Sequence, residues 1–176
     1  QAHYPQFIDD LFQRTAIDPE YIRNGLLILD LDEYPQARAW AAQEQYHLDK
    51  LEGIALRDCE PEIDGYDEAL WLPEIGQIRN PRLLKALKQA IISDQLTYLE
   101  HCTVQTLKSK NNQMVGVDTK THGFIAAERV IVTAGAWSAY LLNTVNTNLP
   151  VAPVRGQMIL FLTQPGLISR IILAND

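Results

Sequence analysis

Cysteine is scarce in this chain: Cys59 and Cys102 stand far apart and have no companions. A disulfide scaffold and a CxxC metal site are both excluded by that count. The four histidines, His3, His47, His101 and His122, fall at neither HxxxH nor HExxH spacing. No helix can therefore present two of them on one face as metal ligands. Glycine is thin as well, with nine in 176 residues, and the closest two are Gly116 and Gly123. Neither GxGxxG nor a P-loop fits anywhere, so the usual glycine-rich cradle for a nucleotide pyrophosphate is not within these residues. Basic side chains are in deficit, with 15 Lys plus Arg against 22 Asp plus Glu and a formal charge of −7. No long-range field draws in a phosphate backbone or an anionic membrane surface. Long apolar runs are missing too: Met158 to Leu162 falls far short of the ~20 residues that cross a bilayer. The opening Gln1-Ala2-His3-Tyr4-Pro5 lacks the basic and apolar stretches of a secretory signal. Neither a nucleic-acid nor a membrane partner is expected, and the location is expected to be cytoplasmic.

What is present is an ordinary folded composition, 47% apolar and 21% charged. Phe7, Ile8, Leu11 and Phe12 recur at helical spacing and predict a first short helix that ends near Thr15 to Glu20. Gly25-Leu-Leu-Ile-Leu29, bounded by Asp30 and Asp32, predicts a buried strand followed by the acidic start of another helix. Ala37, Trp40, Ala41, Leu48 and Leu51 share one helical face, interrupted by Glu44, and predict a helix of about four turns from Glu33 to Leu51. The carboxylates of Asp58, Glu60, Glu62 and Asp64 are chemically able to hold a hard cation, but a solvated surface loop is the expected reading.

Ala69 to Leu72 reads as a short strand stopped by Pro73. Asn80-Pro81 is a helix start, and Leu83, Leu84, Leu87, Ala90 and Ile91 continue it. From Leu96 strands take over, one of them near Tyr98. Val104–Leu107, Met114–Val117 and Phe124–Ala126, separated by Asn111-Asn112 and His122-Gly123, predict an antiparallel three-stranded meander. Val130 to Ala136 opens with apolar residues in no alternation, as a strand covered on both faces would. Trp137 to Asn143 reads as helical. Pro150 to Leu162 reads as a long strand with Arg155 and Gln157 on one face and Val154, Met158, Leu160 and Leu162 on the other.

The small residues of Thr133-Ala-Gly-Ala-Trp137 let backbone approach something bulky, although close helix-on-strand packing explains them equally well. Val130-Ile-Val-Thr-Ala-Gly-Ala-Trp-Ser138, followed by Leu149-Pro-Val-Ala-Pro-Val-Arg-Gly-Gln-Met158, resembles the D-amino-acid oxidase type of FAD-dependent oxidoreductases. Ala69-Leu-Trp-Leu-Pro73 and Gly76-Gln-Ile-Arg-Asn-Pro-Arg-Leu-Leu84 are most similar to its glycine oxidase branch, that of thiamine biosynthesis. The resemblance runs over nearly the whole chain.

The resemblance implies a mixed α/β (α+β) fold: part of an FAD-binding doubly wound domain plus part of an antiparallel-sheet substrate domain. It assigns residues 1–77 and 149–176 to the substrate side and 78–148 to the FAD side. It places Val104 where the backbone meets the adenine end of FAD, Ala134 and Gly135 at the small-residue strand end beside the cofactor, and Trp137 as the cap of that turn. For Val104, plain strand packing is the alternative. The family's glycine-rich opening and its C-terminal substrate-gripping part have no counterpart here, so an internal fragment of a larger enzyme is expected. Residues 1–176 alone should then be colourless, should not retain FAD, and should self-associate through uncovered apolar surface, so a homo-oligomer is expected.

The implied reaction oxidises the C–N bond of glycine or a related amino acid to an imine, with hydride passing to flavin and oxygen reoxidising it. Such chemistry needs few acid or base side chains, and no catalytic or metal-ligating residue is nominated. Arg155 could pair with a carboxylate, but a contact to a main-chain carbonyl or an acidic loop is the favoured reading. Ser138, Tyr140 and His122 lack neighbours that would activate them. Two alternatives stand beside the oxidase: a flavin-dependent dehydrogenase using another acceptor, and a non-enzymatic scaffold module.

Overall fold

The computed structural model describes residues 3–93 and 96–174, which fall into two compact units. The first comprises residues 1–96 and 162–176, and the second 97–161.

In the first unit, helix α1 (Tyr4–Thr15) turns Ile8 and Leu11 inward and ends where Ala16 adopts a left-handed φ of 55°. Helix α4 (Asn80–Ser93) packs against it through the small side chains of Ala86 and Ala90, which meet Leu11, with Ile17, Leu83 and Leu87 around them. Alanines at the seam let two helix backbones come close while leucines fill the flanks.

The unit's other half is a four-stranded sheet ordered β2 (Asp49–Glu52), β3 (Glu68–Leu72), β1 (Leu26–Ile28), β7 (Ile171–Leu173). The β2–β3 and β3–β1 pairs are antiparallel, and β1–β7 is parallel with Leu26 opposite Ile171. Successive side chains point to opposite faces. Leu27 and Ala69 thus join Leu56 of helix α3 (Ile54–Cys59) on one face, while Ile28, Leu70 and Leu72 meet Tyr34 and Ala37 of helix α2 (Tyr34–Glu44) on the other. Cover on both faces explains why Gly25 to Leu29 is apolar without alternation. Leu70 is fully buried. A Leu70→Ala variant should lose about 2 to 5 kcal/mol, the range for emptying a packed leucine site, read from denaturant unfolding.

The second unit holds the meander β4 (Val104–Lys110), β5 (Gln113–Thr119), β6 (Gly123–Ala126), antiparallel throughout. Its first turn is Asn111-Asn112, both left-handed with φ of 54° and 59°, the geometry that matches strand twist in a two-residue hairpin. After it, a 3-10 turn over Gly135–Trp137 leads into helix α5 (Ser138–Asn143).

Five expectations are corrected. The helix anticipated from Glu33 to Leu51 stops at Glu44: Gln45 takes a left-handed φ of 59°, and the Tyr46 amide donates back to the Ala41 carbonyl at 2.8 Å. That is a Schellman-type end; Leu48 precedes β2 and Leu51 lies within it, opposite Ala69. No strand forms near Tyr98, where residues 96–103 run irregularly through a turn at Glu100-His101. Val130 to Ala136 is not a strand, and Ile131 is 88% exposed. Pro150 to Leu162 is likewise irregular, with Val154, Leu160 and Leu162 almost wholly exposed. A strand exists only through its ladder, and none of the described residues pairs with either segment. Finally, the acidic run from Asp58 to Asp64 is not simply a solvated loop, because Glu60 is 1% exposed.

Candidate functional site

All four residues that the family resemblance ties to a cofactor lie in the second unit. Val104 opens β4, half-buried and opposite Thr119. Ala134 is half-buried at the entry of the 3-10 turn, Gly135 starts that turn, and Trp137 closes it with 68% of its surface exposed. The elements that carry them are tied together. The Leu107 amide of β4 donates to the Thr144 hydroxyl at 3.0 Å, and that hydroxyl donates to the Leu141 carbonyl of α5 at 2.6 Å.

Gly135 has a left-handed φ of 56°, which L side chains adopt at a cost, and nothing lies within 4 Å of where a Cβ would stand. Backbone bare of side chain therefore faces open space, and the nearby chain positions Ile131 and Trp137 are exposed apolar residues. Unobstructed peptide of this kind lets a flat heteroaromatic group come close. On this observation the residues fit part of FAD, while the pyrophosphate cradle is not supplied by any glycine loop of this chain.

The structure places the remaining polar candidates as follows. Ser138 is buried at the start of α5, and Tyr140 is exposed on it. The His122 Nδ1 lies 2.8 Å from the Thr121 hydroxyl in the β5–β6 turn. Arg155 is exposed in the irregular stretch and has no ion pair or hydrogen bond among the described residues. In the first unit, Asp30, Asp32, Asp67 and Glu68 border an open cavity of 370 Å³. No group of three or more His, Cys, Asp or Glu among the described residues is arranged to hold a metal ion. The Lys50 ammonium is held well above the usual lysine range because the Glu52 and Glu68 carboxylates both accept its hydrogen bonds. It stays ionised throughout the neutral range, as a cross-strand surface contact. No helix of the described residues is long and apolar enough to cross a membrane.

Sequence reasoning missed Glu60. Its Oε2 accepts from the Ser169 amide (2.8 Å), the Ser169 hydroxyl (2.9 Å) and the Arg170 amide (2.9 Å). The one signal was Glu60-Pro61, since a residue before proline is pushed to extended backbone.

The architecture is mixed helix and sheet, with a bare-backbone turn after the meander. The chain belongs to the DAO family of FAD-dependent oxidoreductases, whose pattern matches residues 1–174. It is 39% identical to the glycine oxidase of Pseudomonas putida over 99% of this chain and 48% of that protein. The crystal structure of glycine oxidase from Geobacillus kaustophilus superposes with a TM-score of 0.83 at 26% identity, covering 99% of this chain and 48% of that one. L-proline dehydrogenase from P. horikoshii shares the fold, with a TM-score of 0.73 at 17% identity over 96% of this chain and 48% of that chain. The chain spans about half the length of the curated relatives it matches.

Proposed function

We propose that the protein carrying this chain oxidises the C–N bond of glycine or a closely related amino acid to an imine, with oxygen as the electron acceptor. The observation that carries the reading is 39% identity to a glycine oxidase over 99% of this chain. FAD, when bound, supplies the electron-pair acceptor that no side chain can provide. The chain's own part is to bind and orient. The backbone at Val104 and at Ala134-Gly135 would hold the cofactor, with Trp137 closing the turn, and bare peptide at Gly135 would permit the approach. In this chemistry positioning does most of the protein's share.

By the same reading residues 78–148 belong to the FAD side, and 1–77 and 149–176 to the substrate side. The compact unit 97–161 holds all four cofactor residues, while residues 78–96 lie in the first unit and 149–161 in the second, so the proposed chain boundaries and the compact units coincide only in part. The protein is further taken to be cytoplasmic and homo-oligomeric, with a small amino acid as its substrate.

Oxygen uptake by the product of the complete reading frame, supplied in turn with glycine, sarcosine and D-amino acids, tests the proposal. Uptake with at least one of these amines is the expected result. Reduction of an artificial electron-accepting dye without oxygen uptake would replace the acceptor and make the enzyme a dehydrogenase. Turnover of none of them with either acceptor would sink the reading.

A further inference from the structure

The chain leaves the first unit after residue 96 and returns at 162, and a buried charge fastens the return. Helix α3 ends at Cys59, and Glu60 swings to an extended backbone with φ −144° and ψ 96°. Pro61 disfavours continued helix at the residue before it, so the turn out of α3 is written into the Glu-Pro pair. The carboxylate that results is 1% exposed and reaches across 109 positions of sequence to Ser169, where a single oxygen collects two backbone amides and a hydroxyl.

Further contacts fix the same corner. The Asn24 side-chain amide donates to the Ser169 carbonyl at 2.7 Å, and the Ile171 amide donates to the Gly25 carbonyl at 3.0 Å. The Arg170 guanidinium stands 5.6 Å from the centre of the Trp71 ring. The corner leads at once into β7, one of the sheet's two edge strands and only three residues long. A parallel strand that short has little ladder to hold its own register, and a one-residue slip would turn all its side chains to the opposite face.

We propose that Glu60 is a positioning residue: its carboxylate fastens the Ser169-Arg170 corner and sets the register of β7 on β1, within the segments assigned to the substrate side. The inference rests on the oxidase reading only for its kinetic consequence, not for the fastening itself. Charge-assisted bonds to backbone amides are among the stronger ones, and removing the acceptor leaves two amides without a partner.

The test uses Glu60→Ala and the isosteric Glu60→Gln, which keeps one acceptor oxygen, in the product of the complete reading frame. Amide hydrogen exchange in Ile171–Leu173 should speed up by about 10- to 100-fold in Glu60→Ala, with Glu60→Gln in between and β4–β6 unchanged. In the kinetic arm, KM for the amine should rise about tenfold in Glu60→Ala, while kcat and flavin content per protein hold, and Glu60→Gln should recover most of the loss. Unaltered exchange at β7 would overturn the fastening. A parallel fall of flavin content, kcat and melting temperature would show a role in general stability only and would overturn positioning. Should the wild type oxidise no amine, the oxidase reading fails by itself, and the β7 exchange rates still decide the fastening.

Discussion

A Gly25→Val variant is expected to destabilise the unit that holds the four-stranded sheet by about 2 to 6 kcal/mol, a large share of the ~5 to 15 that a domain has. Gly25 is buried at the entry of β1 with a left-handed φ of 78°, and a Cβ there would stand 1.9 Å from the Trp71 ring. The ring has little freedom to retreat, because Trp71 packs with the Leu27, Leu56 and Ala69 cluster and the Arg170 guanidinium lies over it. The Gly25 carbonyl also accepts the Ile171 amide, so a shift of this backbone would loosen β7 as well. Urea titration followed by tryptophan fluorescence measures the loss. A midpoint within error of the wild type would show that the indole moves aside freely and that the packing described around it is wrong.

The second large effect concerns the flavin. In the product of the complete reading frame, Gly135→Val should lower FAD affinity by at least about tenfold, equivalent to ~1.4 kcal/mol, and purify largely colourless. Gly135→Ala serves as the control. Both variants carry the strain of a side chain at φ 56°, but only valine places branched bulk into the space beside the backbone. Loss of flavin in the valine variant alone assigns the effect to occlusion. Full retention in both would remove Gly135 from the cofactor surface.

Much of the local structure was legible because local chemistry decides it. Asn80-Pro81 starts α4, the Asn111-Asn112 pair makes the tight turn of the meander, and the apolar run after Gly25 is the buried strand it resembles. The readings that failed depended on what lies elsewhere. Leu48 and Leu51 keep helical spacing with Ala37 and Ala41, yet a left-handed Gln45 and the edge offered by β3 decide for a strand. Val130 to Ala136 and Pro150 to Leu162 have strand-like sequences, but strand character needs a partner and none of the described residues offers one. The parallel β1–β7 pair was invisible because no pattern within three residues announces a neighbour some 145 positions away, the separation of Asn24 from Ser169. Glu60 was hidden for a related reason. Among four acidic residues nothing local marks the one that a distant backbone corner will bury. The small-residue turn at Ala134-Gly135, by contrast, was found through family resemblance, and periodicity alone left it open between packing and cofactor approach.

The most direct measurement is amide hydrogen exchange on the complete protein, stripped of flavin and then reloaded with FAD. The account predicts slowed exchange at Val104 and across Ala134 to Trp137 on reloading, with the α1–α4 pair unchanged. Exchange at those positions that ignores FAD, while the protein binds it stoichiometrically, would contradict the placement of the cofactor on this chain.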